Sequence, residues 1–191
     1  MPNPLRVIVP DHGIRFNAVL DHVTAVGDFH AAGYRQATEI LLCRFLEDPD
    51  GTAGERDRLI LPILFLFRHY LELRFKDIII CGQCLTGKSP HYPAEYNHDI
   101  KKLWKEVQNL CNALLEPSWL SEFDKIGKCV TDLCKLDPNS TSFRYPCDKN
   151  GRPVFQHLVV GLKTLHATVE SIGDCLDGIS NEMDSRWKSC S

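Results

Sequence analysis

Apolar residues recur at three- and four-residue spacing over most of this chain, and the alternation that marks a half-buried strand is nearly absent. Val19, Val23, Val26, Phe29, Ala37, Ile40, Leu41 and Phe45 form one such stripe. It predicts a long helix over 17–47, bent at Gly27 or Gly33 and stopped by Asp48-Pro49-Asp50-Gly51. A second helix is expected over 55–80. From Leu59 to Phe67 it is apolar all round apart from Pro62, which suits a helix enclosed by its neighbours. The pattern makes 59–73 the most buried stretch. The later half of the helix turns polar at Arg68, His69, Glu72, Arg74, Lys76 and Asp77.

Ile100, Leu103, Trp104, Val107, Leu110, Cys111 and Leu114 mark a third helix over 98–115, with Asn97 as its N-cap. Leu120, Phe123, Ile126, Val130 and Leu133 mark a fourth over 118–136, after the break at Glu116-Pro117. Leu158, Leu162, Leu165, Val169, Ile172, Leu176 and Ile179 mark a fifth over 154–183. The segments 81–97 and 137–153 read as loops. The expected architecture is all-α, an antiparallel helical bundle of about five helices in one domain over 17–183. An irregular N-terminal arm (1–16) precedes it, and a polar C-terminal tail (184–191) that frays follows it.

Composition adds limits. With 191 residues, 43% hydrophobic and 25% charged, the chain has the apolar surface to offset the entropy of ordering it. A net charge of −3 excludes a broadly basic nucleic-acid coat but leaves room for a local basic site. The nine cysteines are odd in number and irregularly spaced, and a chain of this size needs no disulfide framework. The N-terminal stretch lacks the apolar run of a signal peptide. The longest apolar stretch, Leu59 to Phe67, is far short of the ~20 residues of a membrane span. A reduced, cytoplasmic protein without membrane contact is expected.

Several groups could carry chemistry. Arg68, His69 and Glu72 share one side of the second helix, where burial would require them to pair. His98 and Asp99 open the third helix, and Asp99 suits the positive end of its dipole. Arg144 lies between Phe143 and Tyr145, with Pro146 holding Tyr145 extended. Its planar fork suits a carboxylate or a phosphate. These residues are expected to gather at one end of the bundle. Two arginines against Glu72 leave a positive surplus that fits a phosphate or an acidic partner residue. Alternatively Asp99, Asp137 or Asp148 supplies the missing charge and the cluster is only a latch.

Cys81 and Cys84, with His91 and His98 downstream, offer four metal-ligand types, but their spacing matches no common zinc module. Arg152 and His157 fit R-x4-H, a short and degenerate pattern. Walker, GxGxxG, GxSxG and HExxH motifs are absent. No cofactor and no metal is expected.

The order of three motifs resembles the HEPN superfamily (higher eukaryote and prokaryote nucleotide-binding domain). They are Arg68-His69-Tyr70-Leu71-Glu72-Leu73 in a long apolar helix, His98-Asp99-Ile100 opening the next, and Phe143-Arg144-Tyr145-Pro146 before the last. The resemblance covers roughly 17–180 and implies a helical bundle, commonly a homodimer. Some HEPN proteins are metal-independent ribonucleases of toxin–antitoxin, CRISPR or phage-defence systems, with an R-x4-6-H motif opening the last long helix. Others bind RNA, a nucleotide or a partner protein. Arg144 has no histidine at the required distance, since Lys149, Asn150, Gly151 and Arg152 stand there. Only Arg152 and His157 fit, with Pro153 between them.

Three readings follow. One is a non-catalytic HEPN-like domain binding RNA, a nucleotide or a partner protein. The second is a ribonuclease in which His157 moves protons and Arg152 stabilises phosphorane charge. The third is a purely structural, oligomerising bundle.

Overall fold

A computed structural model describes residues 28–48 and 52–190. The expected N-terminal arm and the first turns of the first helix, 17–27, lie outside the described residues. Helix α1 (Asp28–Glu47) and helix α2 (Ala53–Leu85) form an antiparallel hairpin. Arg44 holds Glu55 at 2.6 Å near the turn, and Tyr34 meets His69 edge-on at 4.4 Å further along. Helices α3 (Ile100–Leu114), α4 (Phe123–Leu136) and α5 (Leu162–Cys190) complete an all-α bundle of five helices. Short 3₁₀ turns at Ala94–Tyr96 and Pro117–Leu120 lead into α3 and α4. None of the described helices is long and apolar enough to cross a membrane.

α2 is the central rod, in contact with α1, α3 and α5. The antiparallel pairing holds for α1 with α2 and for α3 with α4, but α3 and α5 run in the same sense as α2. Arg68 reaches the His98 carbonyl, Phe75 packs on Trp104, and Leu110 fills the space beside Gly82. Tyr70 likewise reaches Gly173, and Arg74 reaches Ser180. The long connection before α3 carries the chain back along the bundle, and α4 does so before α5, which makes this parallel stacking possible.

Burial departs from the expected pattern on α2 and on α1. The most enclosed part of α2 runs from Ile63 to Gln83, including its charged half, whereas Leu59, Ile60 and Leu61 are only partly covered. The polar residues go inside because α3 and α5 supply partners for them. On α1 the inward positions are Ala31, Thr38, Leu42 and Phe45, while Ile40 is 60% exposed. On α3 and α4 the expected stripes are the buried ones, from Ile100 to Cys111 and from Phe123 to Leu133.

Two boundaries are corrected. α5 starts at Leu162 rather than at 154; ahead of it the Asp148 carboxylate binds the Asn150 and Arg152 amides, a bridge pairs Cys147 with Pro153, and 154–161 is irregular. At the other end the polar tail does not fray at 184. It stays helical to Cys190, held by Arg186–Glu182 and Lys188–Asp184 pairs four residues apart and by Arg186 donating to the Leu114 carbonyl.

Phe67 is fully buried where α2 crosses the core. Phe67→Ala should lower unfolding stability by about 3–5 kcal/mol. Ile40→Ala on the outer face of α1 should change it by under ~0.5 kcal/mol. Chemical denaturation of the two variants measures both, and equal losses would contradict this placement of α1.

Candidate functional site

The polar centre is assembled from four segments. Arg68 and Glu72 are one turn apart on α2 and almost wholly enclosed, with the guanidinium 3.5 Å from the carboxylate. Arg68 also donates to Ser140 Oγ and to the His98 carbonyl, each at 2.7 Å. Its Nε lies 3.3 Å from Asp137. Glu72 accepts from Lys76 Nζ at 2.7 Å and from His98 Nδ1 at 2.9 Å. Lys76 in turn sits 4.9 Å over the Tyr92 ring. Burial alone would push the Glu72 carboxyl up, but the hydrogen bonds from Lys76 and His98 outweigh it and hold the group below its ordinary range.

The loop after α4 is shaped to meet this cluster. Asp137 ends the helix and accepts from the Thr141 and Ser142 amides at 2.6 and 2.7 Å, an Asx-type turn. Within that turn Ser140 takes φ 59°, the left-handed region, and its hydroxyl faces Arg68. Asp137 is thus the acid that balances the second buried cation. Arg68 and Lys76 face Glu72 and Asp137, and the enclosed part carries no positive surplus. This is the arrangement of a latch tying α2, the start of α3 and the end of α4.

The other residues singled out from the sequence fall around it. Arg144 lies outside the enclosed part: its guanidinium binds the Ser140 carbonyl and rests 5.6 Å over Tyr145, which is 56% exposed. His69 points the other way, half-buried against Tyr34 and Phe65, and burial pushes its pKa down. Asp99, rather than Asn97, is the N-cap of α3, accepting from the Lys101 and Lys102 amides. His98 precedes it with its ring at the surface and Nδ1 on Glu72.

Cys81 and Cys84 belong to the last turns of α2, not to a loop, and burial pushes the Cys81 thiol up to about 12. The described residues form no group of three or more His, Cys, Asp or Glu able to hold a metal. Arg152 and His157 are both exposed on the irregular segment before α5 rather than in its first turns.

Two features escaped the sequence pattern. One is a second ionic network, in which Asp177 of α5 binds Arg35 of α1 at 2.6 Å, Arg74 of α2 at 2.8 Å and the Tyr70 hydroxyl at 2.9 Å. Gly173 allows it, since a Cβ there would sit 2.5 Å from the Arg35 guanidinium. The other is an open groove of about 1110 Å³ where α4 and the start of α5 diverge. Leu64, Phe67, Leu133, Leu158, Leu165 and Ile172 line it, with Lys125, Lys128, Lys135 and Lys163 around it and one acid, Asp132. Lys125 and Lys135 pair with Glu122 and Asp132, while Lys128 and Lys163 make no ion pair among the described residues. The only sequence signal was lysine at 125 and 128, off the buried stripe of α4.

No family model, no curated protein and no solved structure matches this chain.

Removing Arg68 leaves the buried Asp137 carboxylate without its cation, so Arg68→Ala should cost about 3–5 kcal/mol. Arg144→Ala loses part-buried bonds to one carbonyl but no buried ion pair, and should cost under ~1.5 kcal/mol. Denaturant titration distinguishes them, and a larger loss at Arg144 would overturn the latch.

Because the Glu72 carboxyl is held low in the folded state, its contribution is complete above the ordinary carboxyl value of about 4.3 and fades as pH falls through the folded value. Glu72→Gln should therefore flatten the acid limb of a stability–pH curve measured by thermal melting. A limb of unchanged slope would contradict the assignment.

Proposed function

We propose that this protein is a non-catalytic helical binding domain, HEPN-like in the order of its motifs, which docks an acidic amphipathic helix of a partner protein between α4 and α5. The observation that carries this reading is the groove itself, an apolar floor edged by four lysines and one aspartate. A leucine-type stripe on an incoming helix would cover the floor while its acidic flanks met Lys128 and Lys163. RNA fits less well. The lining holds no arginine, and its one aromatic ring, Phe67, is fully buried and cannot stack on a base. The polar centre supports the same choice, because its buried charges are already matched inside the protein.

The resemblance also brings the expectation of a homodimer and the alternative of a ribonuclease built on Arg152 and His157. A nuclease would need those exposed side chains to converge from two copies in a shared groove. A synthetic helix with leucine on one face and glutamate on the other should bind, with affinity falling as salt rises. Lys128→Glu combined with Lys163→Glu should weaken it about tenfold or more, a difference of ~1.4 kcal/mol. Calorimetry reads the affinity and sedimentation the oligomeric state. Equal binding by wild type and the double variant overturns the groove assignment. Cleavage of a single-stranded RNA that is lost in His157→Ala establishes the nuclease instead.

A further inference from the structure

On α5, one turn and two turns beyond Lys163 at the groove's edge, stands a set of side chains that the binding reading leaves unused. Cys43 of α1 places Sγ 3.3 Å from Nε2 of His166 on α5. The other ring nitrogen of His166, Nδ1, lies 3.1 Å from Glu170, one turn further along the same helix. We propose that Cys43, His166 and Glu170 form a thiol–disulfide exchange site, at which Cys43 attacks a low-molecular-weight disulfide with His166 as its proton acceptor and Glu170 as the positioning residue.

The geometry assigns each role. The Glu170 carboxylate, 3.1 Å from Nδ1, favours the tautomer that carries its proton there, which leaves Nε2 with a lone pair for the thiol. His166 then stands to Cys43 as base to nucleophile, and Glu170 stands to His166 as the group that orients the base. The sulfur and ring are half-buried, with 18% of the His166 side chain exposed, while Glu170 is 53% exposed. That leaves a path for a small reagent and a shielded place for proton transfer. The three are brought together only by the antiparallel packing of α1 on α5, which the Arg35 contacts to Asp174 and Asp177 hold two turns away.

The exchange balances without any further reagent. Cys43 Sγ attacks one sulfur of the disulfide as His166 Nε2 takes the thiol proton. A Cys43 mixed disulfide forms, the original sulfur–sulfur bond breaks, and the departing thiolate takes the proton back from His166. One disulfide and one thiol go in, and one mixed disulfide and one thiol come out. Disulfide exchange suits this site better than acyl transfer, because it requires an aimed nucleophile and a proton acceptor but no oxyanion donors. Most other thiols are poor competitors. Burial pushes Cys81, Cys111 and Cys129 up to about 12 and also raises Cys134 and Cys175. Cys147 is exposed on a loop and serves as an internal reference.

The test is timed incubation of the full chain with oxidised glutathione, read as adduct at each cysteine by peptide mass spectrometry. Cys43 should be modified about tenfold or more faster than Cys147, within what general-base assistance supplies. His166→Gln should bring Cys43 down to the Cys147 rate or below, and free imidazole should restore part of the difference, which a purely structural role would not allow. Glu170→Ala, at an exposed position, should lower the Cys43-to-Cys147 ratio severalfold with an unchanged melting temperature. It keeps the test decisive if His166→Gln does not fold. Wild-type Cys43 reacting no faster than Cys147, or a ratio unmoved by both substitutions, overturns the proposal.

Discussion

The structure turns on the charges that α2 carries into the core. Arg68, Glu72, Arg74 and Lys76 are all nearly inaccessible, and an ion taken out of water unpaired would cost several kcal/mol. Lys76 pairs with Glu72 on α2 itself, and the other three are each met by a different neighbour. Asp137 and Ser140 after α4 meet Arg68, His98 before α3 meets Glu72, and Asp177 and Ser180 on α5 meet Arg74. The apolar stripes would tolerate some sliding of one helix on another, whereas the charges do not. They fix which turn of α3 and α5 lies beside which turn of α2, and so the parallel stacking of those helices on the central rod.

That constraint also bears on function. Side chains that pair inside the protein are unavailable to a ligand, and the Arg68–Glu72 centre spends its hydrogen bonds on the loops it ties down. The surface that remains open arises where no such tie exists. α4 packs on α3 and diverges from the start of α5, so that Leu158, Leu165 and Leu133 line a groove instead of meeting across a seam. The reading as a partner-binding domain rests on this gap, with the lysines giving it a sign.

The Cys43 site has a different origin. His166 and Glu170 are neighbours by helical spacing alone, but the sulfur comes from the far end of the chain in sequence. The thiol site adjoins the Lys163 edge of the groove, since 163, 166 and 170 share one side of α5.

The sequence by itself determined the all-helical class, the core stripes of α3, α4 and most of α5, and the enclosed position of α2. These follow from local periodicity, which survives translation from one dimension to three because a helix repeats regularly. Asp137 could be named beforehand as one of three acids able to balance Arg68, since its place beside the loop was visible, but the choice among them was not. Only the tertiary structure decided that choice, the outward turn of Ile40, the inward burial of Arg74 and Lys76, and the helical state of the tail after 184. Each depends on a partner distant in sequence: Asp177 for Arg74, the Leu114 carbonyl for Arg186, and α5 for the face that α1 presents. Periodicity says which side of a helix is apolar. It does not say which charge another helix will bring to meet it.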